Sequence, residues 1–127
     1  MTSVGVDLVE IPRIQETIER WDGRFLKKVF TPREIEFCEG RRNKYQSYAA
    51  RFAAKEAILK AIGTGMYGGV RWKDMEILDD ERSQPQVFLE GLVKELVGRR
   101  KVLLSLSHTG SSALAFVLLL EDSDSGH

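Results

Sequence analysis

Alternating apolar and polar residues predict strands near both ends of the chain. Within residues 3–9, Val4, Val6 and Leu8 share one side of a short strand and Asp7 lies on the other. Further strand-like runs bounded by turn residues are 75–78, 86–89, 102–107 and 113–120. The last two runs are separated by a short turn, so a hairpin is the simplest connection between them.

Apolar residues at helical spacing predict helices between these strands. The first helix runs from about residue 12 to 21, with proline in its first turn. The longest runs from about 45 to 62 and stops at Gly63, and a two-turn helix covers 92–97. The apolar stripe of the first helix is formed by Ile11, Ile14, Ile18 and Trp21.

A further helix has the clearest start signal in the chain. Thr31 is followed by proline at the first helical position and, three residues after the cap, by Glu34. This spacing is typical of a capping box, in which each of the two side chains accepts a hydrogen bond from the backbone of the other residue. Gly40 then ends the helix.

Length and element order together predict an α+β fold with one long helix against a small, mainly antiparallel sheet. The 127 residues suffice for one compact domain but not for two of ordinary size. We therefore expect a single domain over residues 1–120, followed by a disordered tail over 121–127.

Composition excludes several classes of protein. The longest apolar run, 113–120, is far shorter than the roughly 18–20 residues of a membrane span, so no membrane association is expected. The N-terminus has no secretory signal pattern, and Met1 is expected to begin the mature protein. Cys38 is the single cysteine and is expected to be a packed core residue in a reducing, cytoplasmic setting.

Charge is balanced overall but unevenly distributed. The formal net charge of zero disfavours a general nucleic-acid binder. Residues 13–55, however, contain 11 Lys and Arg against 6 Asp and Glu. This basic region is able to steer an acidic protein partner, although a solvated helix face gives the same imbalance.

Candidate chemistry is concentrated in the long helix and the first strand. Phe52, Glu56 and Lys60 share one stripe of the helix, and a Glu–Lys pair at this spacing is commonly a plain surface salt bridge. Asp7 changes that interpretation, because a carboxylate within an apolar strand needs a cation or hydrogen-bond donors. One arrangement brings Asp7 beside Glu56 with Mg²⁺ between them, completed by waters and substrate phosphates.

Two loops, at residues 107–109 and 63–69, have compositions that bear on phosphate binding. Ser107, His108 and Thr109 present two hydroxyls and an imidazole at the predicted hairpin turn, although a lone loop histidine is often unremarkable. The glycine-rich loop at 63–69 lacks the Gly-Lys-Ser/Thr ending of a nucleotide P-loop and follows a helix, so it favours a tight helix exit. No hydrolase triad is evident.

In combination, these segments closely resemble the holo-[acyl-carrier-protein] synthase family of 4′-phosphopantetheinyl transferases. The resemblance covers nearly the whole chain in the expected order. It is carried by Gly5-Val6-Asp7 with Glu10, Ile11 and Arg13, by residues 30–34, by Arg51-Phe52-Ala53-Ala54-Lys55-Glu56-Ala57, by Lys60-Ala61-Ile62-Gly63-Thr64-Gly65, and by residues 104–109.

The resemblance implies a reaction and its partners. Members of this family transfer 4′-phosphopantetheine from coenzyme A to a serine of apo acyl carrier protein, use Mg²⁺ and release adenosine 3′,5′-bisphosphate. They are typically homotrimers with sites between subunits. Under this assignment, the turn at His108 serves the Asp7 and Glu56 of an adjacent copy.

The resemblance also implies roles for individual residues. Asp7 and Glu56 are expected to bind Mg²⁺ and, with Lys60, to form the catalytic set; the serine proton is taken by Glu56 or by a metal-bound water. The residues expected to bind coenzyme A are Arg51, Lys60, Gly63, Gly65, Ser107, His108 and Thr109, and those expected to receive the carrier protein are Arg13, Arg20 and Arg24.

Two rival functions stand beside this one. A non-catalytic adaptor would bind acidic helices of carrier proteins through the basic region and need neither metal nor coenzyme A. A metal-dependent pyrophosphatase would cleave coenzyme A without any carrier protein.

Overall fold

The computed structural model describes residues 2–65 and 68–121. Its helices and strands alternate in groups, which confirms the predicted α+β class. The strands are β1 (Ser3–Glu10), β2 (Met75–Asp79), β3 (Pro85–Leu89), β4 (Lys101–His108) and β5 (Ser112–Leu120). The helices are α1 (Ile11–Trp21), α2 (Arg24–Val29), α3 (Pro32–Glu39), α4 (Lys44–Ile62) and α5 (Gly91–Val97).

The strands form two antiparallel sheets, as the alternating pattern predicts. The larger sheet has the order β1-β5-β4, and β2 pairs with β3 in the smaller one. In the larger sheet Asp7 pairs with Ala115 and His108 pairs with Ala113, so β5 joins the strand that carries the aspartate to the strand that carries the histidine.

Helix α4 lies across one face of the larger sheet at close range. Its small residues Ala53, Ala54 and Ala57 are fully buried against the core. At Gly5 a side chain would overlap the backbone carbonyl of Ala57, so only glycine allows β1 to approach this closely. The close contact brings β1 and α4 together at the position where Asp7 follows Gly5.

The other face of the larger sheet is apolar and exposed. Val4, Val6 and Leu8 of β1 are 53%, 50% and 65% exposed, and Phe116 of β5 is 46% exposed. The two strands are in register, with Val6 paired with Phe116 and Leu8 paired with Leu114. The apolar side of β1 predicted from the sequence therefore faces outward, whereas Asp7 lies on the side that packs on α4.

The local signals in the sequence are largely confirmed. Thr31 and Glu34 form the capping box, with Glu34 N donating to Thr31 Oγ1 over 3.2 Å and Thr31 N donating to Glu34 Oε1 over 2.9 Å. Gly63 ends α4 in the left-handed conformation. Cys38 is fully buried, and desolvation raises the pKa of its thiol to about 12.

Two helix predictions need correction. Trp21 was expected on the apolar stripe of α1 but is 50% exposed, because α1 ends at this residue and the chain turns away at Asp22. Ile14 and Ile18 are buried as expected. The short helix α2 was not predicted.

Among the described helices, none combines the length and the hydropathy needed to cross a membrane. Most of the predicted tail, residues 122–127, lies outside the described residues.

Candidate active site

Asp7 and Lys60 form an ion pair where β1 packs on α4. Lys60 Nζ lies 2.8 Å from Asp7 Oδ1 and also donates to the Val6 carbonyl over 3.2 Å. The Asp7 side chain is only 14% exposed, whereas that of Lys60 is 54% exposed. The hydrogen bond to Asp7 raises the pKa of Lys60, so its ammonium remains charged beside the carboxylate. Lys60 thus supplies a positive charge beside Asp7 within one copy of the chain, a contact that the sequence did not predict.

Glu56 lies one helical turn before Lys60 and faces the same region. It lines a cavity of about 410 Å³ together with Asp7. Burial and the negative charge of Asp7 raise the pKa of Glu56, and the positive charge of Lys60 opposes that shift. Asp7 and Glu56 repel each other when both are ionised, and a cation bound between them would remove that repulsion.

The two carboxylates fit a hard divalent cation whose remaining ligands are water or substrate oxygens. In the described parts of the chain no group of three His, Cys, Asp or Glu residues surrounds a common point. Asp7 and Glu56 thus offer two carboxylates and no nitrogen or sulfur ligand. Mg²⁺ is commonly bound by one or two carboxylates, with water and phosphate oxygens completing the octahedron.

The three arginines predicted to receive the carrier protein lie at two different cavities. Arg13 lines the Asp7–Glu56 cavity itself. Arg20 and Arg24 line a separate, shallow cavity with Trp21, and the Arg20 guanidinium lies 6.0 Å from the centre of the Trp21 ring. Of the three arginines, Arg13 in the first turn of α1 is thus the one that lines the candidate site, which Glu10 also lines.

Arg51, Ser107 and His108 line a second cavity, of about 360 Å³, between α4, β4 and the β2–β3 turn. Arg51 is 3% exposed and is held by Asp79 at 3.0 Å and by the Ile77 carbonyl at 3.1 Å. This guanidinium is part of the protein interior as well as of the cavity wall. Sequence reasoning did not predict its half-buried partner Asp79.

The turn after β4 is held together by a side chain that was expected to bind ligand. Thr109 Oγ1 accepts hydrogen bonds from the backbone N–H groups of Ser111 and Ser112, at 3.2 and 3.0 Å. Gly63 and Gly65 have φ angles of 91° and 61° in the loop that leaves α4. In this structure Thr109 and these glycines shape the backbone around the predicted site.

The predicted site residues therefore form two groups within one copy of the chain. Asp7, Glu56 and Lys60 lie together, and Ser107 and His108 lie together with Arg51. The two cavities share no lining residue among those described.

A buried ion pair next to Glu56 was missed by sequence reasoning. Lys55 and Glu34 have fully buried side chains, with Lys55 Nζ 2.6 Å from Glu34 Oε1 and 2.6 Å from the Val29 carbonyl. Ala53 and Ala54, which precede Lys55, could have indicated that Lys55 is buried, because small residues mark a helix face that packs closely. The pair ties α4 to the start of α3.

Comparison with known proteins identifies the family of this chain. The family model described as "4'-phosphopantetheinyl transferase superfamily" matches residues 3–117. The holo-[acyl-carrier-protein] synthase of Geotalea daltonii is 48% identical over 118 residues, covering 91% of this chain and 94% of the relative.

Solved structures agree with the sequence matches. The holo-[acyl-carrier-protein] synthase of Neisseria meningitidis superposes with a TM-score of 0.83 at 32% identity, covering 94% of this chain and 98% of the other. The Bacillus anthracis synthase in complex with CoA (3',5'-ADP) gives 0.80 at 30% identity, with 94% and 96% covered. This chain therefore belongs to the 4′-phosphopantetheinyl transferase superfamily.

Proposed function

We propose that this chain is a holo-[acyl-carrier-protein] synthase, which transfers 4′-phosphopantetheine from coenzyme A to a serine hydroxyl of apo acyl carrier protein. The observation that carries the proposal is the cluster of Asp7, Glu56 and Lys60 beside one cavity, in a chain of this family. The relatives' names and the coenzyme A complexes supply the substrate class.

The reaction forms one bond and breaks one. The serine oxygen bonds to the phosphorus that bears the pantetheine group, and the phosphorus–oxygen bond to the rest of the diphosphate breaks. Adenosine 3′,5′-bisphosphate leaves with the electron pair, and the serine proton passes to a base. Such phosphoryl transfer requires mainly alignment and charge stabilisation from the protein.

Mg²⁺ is proposed as the resident metal, held by Asp7 and Glu56. When bound, it would neutralise charge on the diphosphate and on the leaving group. Lys60 contributes a second positive charge, kept in place by Asp7 and the Val6 carbonyl. Because Lys60 is anchored on the sheet, it needs little reorganisation to stabilise charge on the phosphates.

The acidic carrier protein is proposed to bind along α1. Arg13 lies at the Asp7–Glu56 cavity and Arg20 and Arg24 lie beyond it, so a carrier bound on these arginines would have its serine close to the carboxylates. Complementary charge increases the association rate and selects against basic partners.

The cytoplasm is the proposed location, consistent with the free, buried Cys38.

The complete site is proposed to form between copies of the chain in a homotrimer. The cavity with Asp7 and the cavity with His108 share no described lining residue in one copy, which is consistent with the two sets of residues meeting across a contact between neighbouring subunits. The exposed apolar sheet face, with Val4, Val6, Leu8 and Phe116, offers the surface through which copies would associate.

Mass spectrometry of an apo acyl carrier protein tests the proposed function. The carrier is incubated with this chain, coenzyme A and Mg²⁺, and the expected product carries one added phosphopantetheine group. A chelator is expected to prevent the addition. Carrier binding without mass change would instead support the adaptor, and cleavage of coenzyme A without carrier would support the pyrophosphatase; either result would overturn the proposal.

A further inference from the structure

We infer that Gln46 is a positioning residue that orients the His108 ring and favours the tautomer with the ring proton on Nε2. The inference rests on the proposed function, because the two side chains line the cavity assigned to coenzyme A, together with Arg51. Gln46 Nε2 lies 3.1 Å from His108 Nδ1, within hydrogen-bond distance.

The inferred direction of this hydrogen bond follows from the Gln46 amide nitrogen facing the ring. The amide nitrogen of a glutamine carries two hydrogens and donates only, so His108 Nδ1 accepts with its lone pair. A neutral imidazole then carries its single proton on Nε2. In this tautomer His108 presents an Nε2–H donor that is able to bind a phosphate or hydroxyl oxygen of the ligand.

The surrounding backbone holds the rest of His108 in place but leaves its ring exposed. His108 is the last residue of β4 and pairs with Ala113, and Thr109 N donates to the Ser112 carbonyl over 2.9 Å. The ring itself is exposed. Gln46 lies in the first turn of α4 and is half-buried, so its hydrogen bond links the exposed ring to the rigid helix.

A double-mutant cycle on transfer kinetics tests this role. We expect Gln46→Ala to raise KM for coenzyme A about three- to tenfold, the range for one hydrogen bond, with little change in kcat. In a His108→Ala background the same substitution should have no further effect, because the group it positions is gone. Gln86→Ala is the control, since Gln86 is a glutamine whose side-chain amide is likewise hydrogen-bonded, to Asp80 at 3.3 Å, but lies outside this cavity. Independent, multiplying effects of Gln46→Ala and His108→Ala would overturn the inference.

Nitrogen-15 NMR of the histidine rings gives a readout that needs no catalysis. The chain has two histidines, and the His108 signals are identified by their loss in His108→Ala. We expect an unprotonated Nδ1 in the wild type, a mixture of tautomers in Gln46→Ala, and a proton on Nδ1 in Gln46→Glu, because a carboxylate only accepts. Identical His108 signals in the wild type and Gln46→Ala would overturn the inference even where transfer is normal. A wild type with the expected tautomer but no transfer activity would instead overturn only the proposed function.

Discussion

Glu56, a proposed metal ligand, reduces the stability of the folded protein. Burial and Asp7 raise its pKa above the ordinary value of 4.5, so its ionised form is unfavourable in the folded protein. The folded state then binds the proton more tightly than the unfolded state, and stability increases as the pH falls from the raised pKa toward 4.5. At neutral pH Glu56 is ionised, and its unfavourable ionisation lowers the free energy of unfolding of the protein.

We therefore predict that Glu56→Gln stabilises the metal-free protein at neutral pH, by on the order of 1 kcal/mol or less because the group is partly solvated. The gain should shrink as the pH approaches 4, where the wild-type carboxyl is also neutral. Thermal unfolding in chelator over this pH range measures it, with the exposed Glu81→Gln as the control. A Glu56→Gln protein less stable than the wild type at pH 7.5 would contradict the prediction.

The same variant separates stability from metal binding. Mg²⁺ is expected to raise the melting temperature of the wild type, since a ligand that binds only the folded state stabilises it. With one of its two carboxylates neutral, Glu56→Gln should lose most of that rise and also lose transfer. Equal Mg²⁺-dependent stabilisation of both proteins would show that the ion binds elsewhere.

At the scale of elements, the contact between β1 and α4 depends on Gly5. A methyl group there would overlap the Ala57 carbonyl and approach Ala61 N to 2.8 Å, both backbone atoms that cannot rotate away. We predict that Gly5→Ala destabilises the fold by about 3 kcal/mol or more and reduces transfer, because β1 must shift and Asp7 lies two residues further along it. Urea denaturation measures the loss. Gly110→Ala, where a side chain would meet open space, should change stability by less than about 0.5 kcal/mol.

The buried pair of Lys55 and Glu34 is a second contact that holds elements together. Burial lowers the pKa of Lys55, yet Glu34 lies at 2.6 Å and also accepts from Ile77 N at 2.8 Å. We predict that Lys55→Met costs about 3–5 kcal/mol, because it leaves a buried carboxylate without its cation. Adding Glu34→Gln should recover part of that loss by removing the charge.

A surface pair provides the comparison for this prediction. Lys44 and Glu39 lie 3.4 Å apart with side chains 38% and 45% exposed, so Lys44→Met should cost less than about 1 kcal/mol. Chemical denaturation of the three variants measures the differences. Equal losses in Lys55→Met and Lys44→Met would refute a special role for the buried pair.

The elements that sequence reasoning found are those with local signals. The capping box at Thr31 and the glycine at 63 each act within a few residues, so the ends of α3 and α4 were predictable. Helix α2 has six residues, Arg24–Val29, with adjacent lysines and no side-chain cap, and such a segment gives no clear periodicity. Its existence depends on packing against neighbours rather than on its own sequence.

The candidate site was predictable only from the chemistry of its residues and from the resemblance to a known family. An aspartate within an apolar strand requires a partner, and Glu56 and Lys60 share one helix stripe that is able to supply it; the resemblance assigns the roles of all three. The burial of Arg51 was not predictable, because its partner Asp79 is 28 residues away in the sequence. Spacing along one helix gives the stripe on which a residue lies but not which distant element covers that stripe.

At the scale of the whole molecule, the separation of the two cavities leads to a prediction about mixed assemblies. If one site takes Asp7 from one copy and His108 from the next, Asp7→Ala and His108→Ala variants damage opposite halves of each site. Random mixing then leaves roughly a quarter of the sites with both residues intact.

We predict that Asp7→Ala and His108→Ala, each strongly impaired alone, regain up to roughly a quarter of wild-type transfer when refolded together in equal amounts. Two Asp7→Ala preparations refolded together should regain nothing. The exposed apolar face supplies a second control, because Val6→Asp places a charge among Val4, Leu8 and Phe116 and should prevent association, and with it the recovery. Size-exclusion chromatography with light scattering measures the assembly, and the carrier-protein assay measures transfer. Wild-type transfer by a protein that stays monomeric would show that one copy holds a complete site, and the mixed variants would then remain inactive.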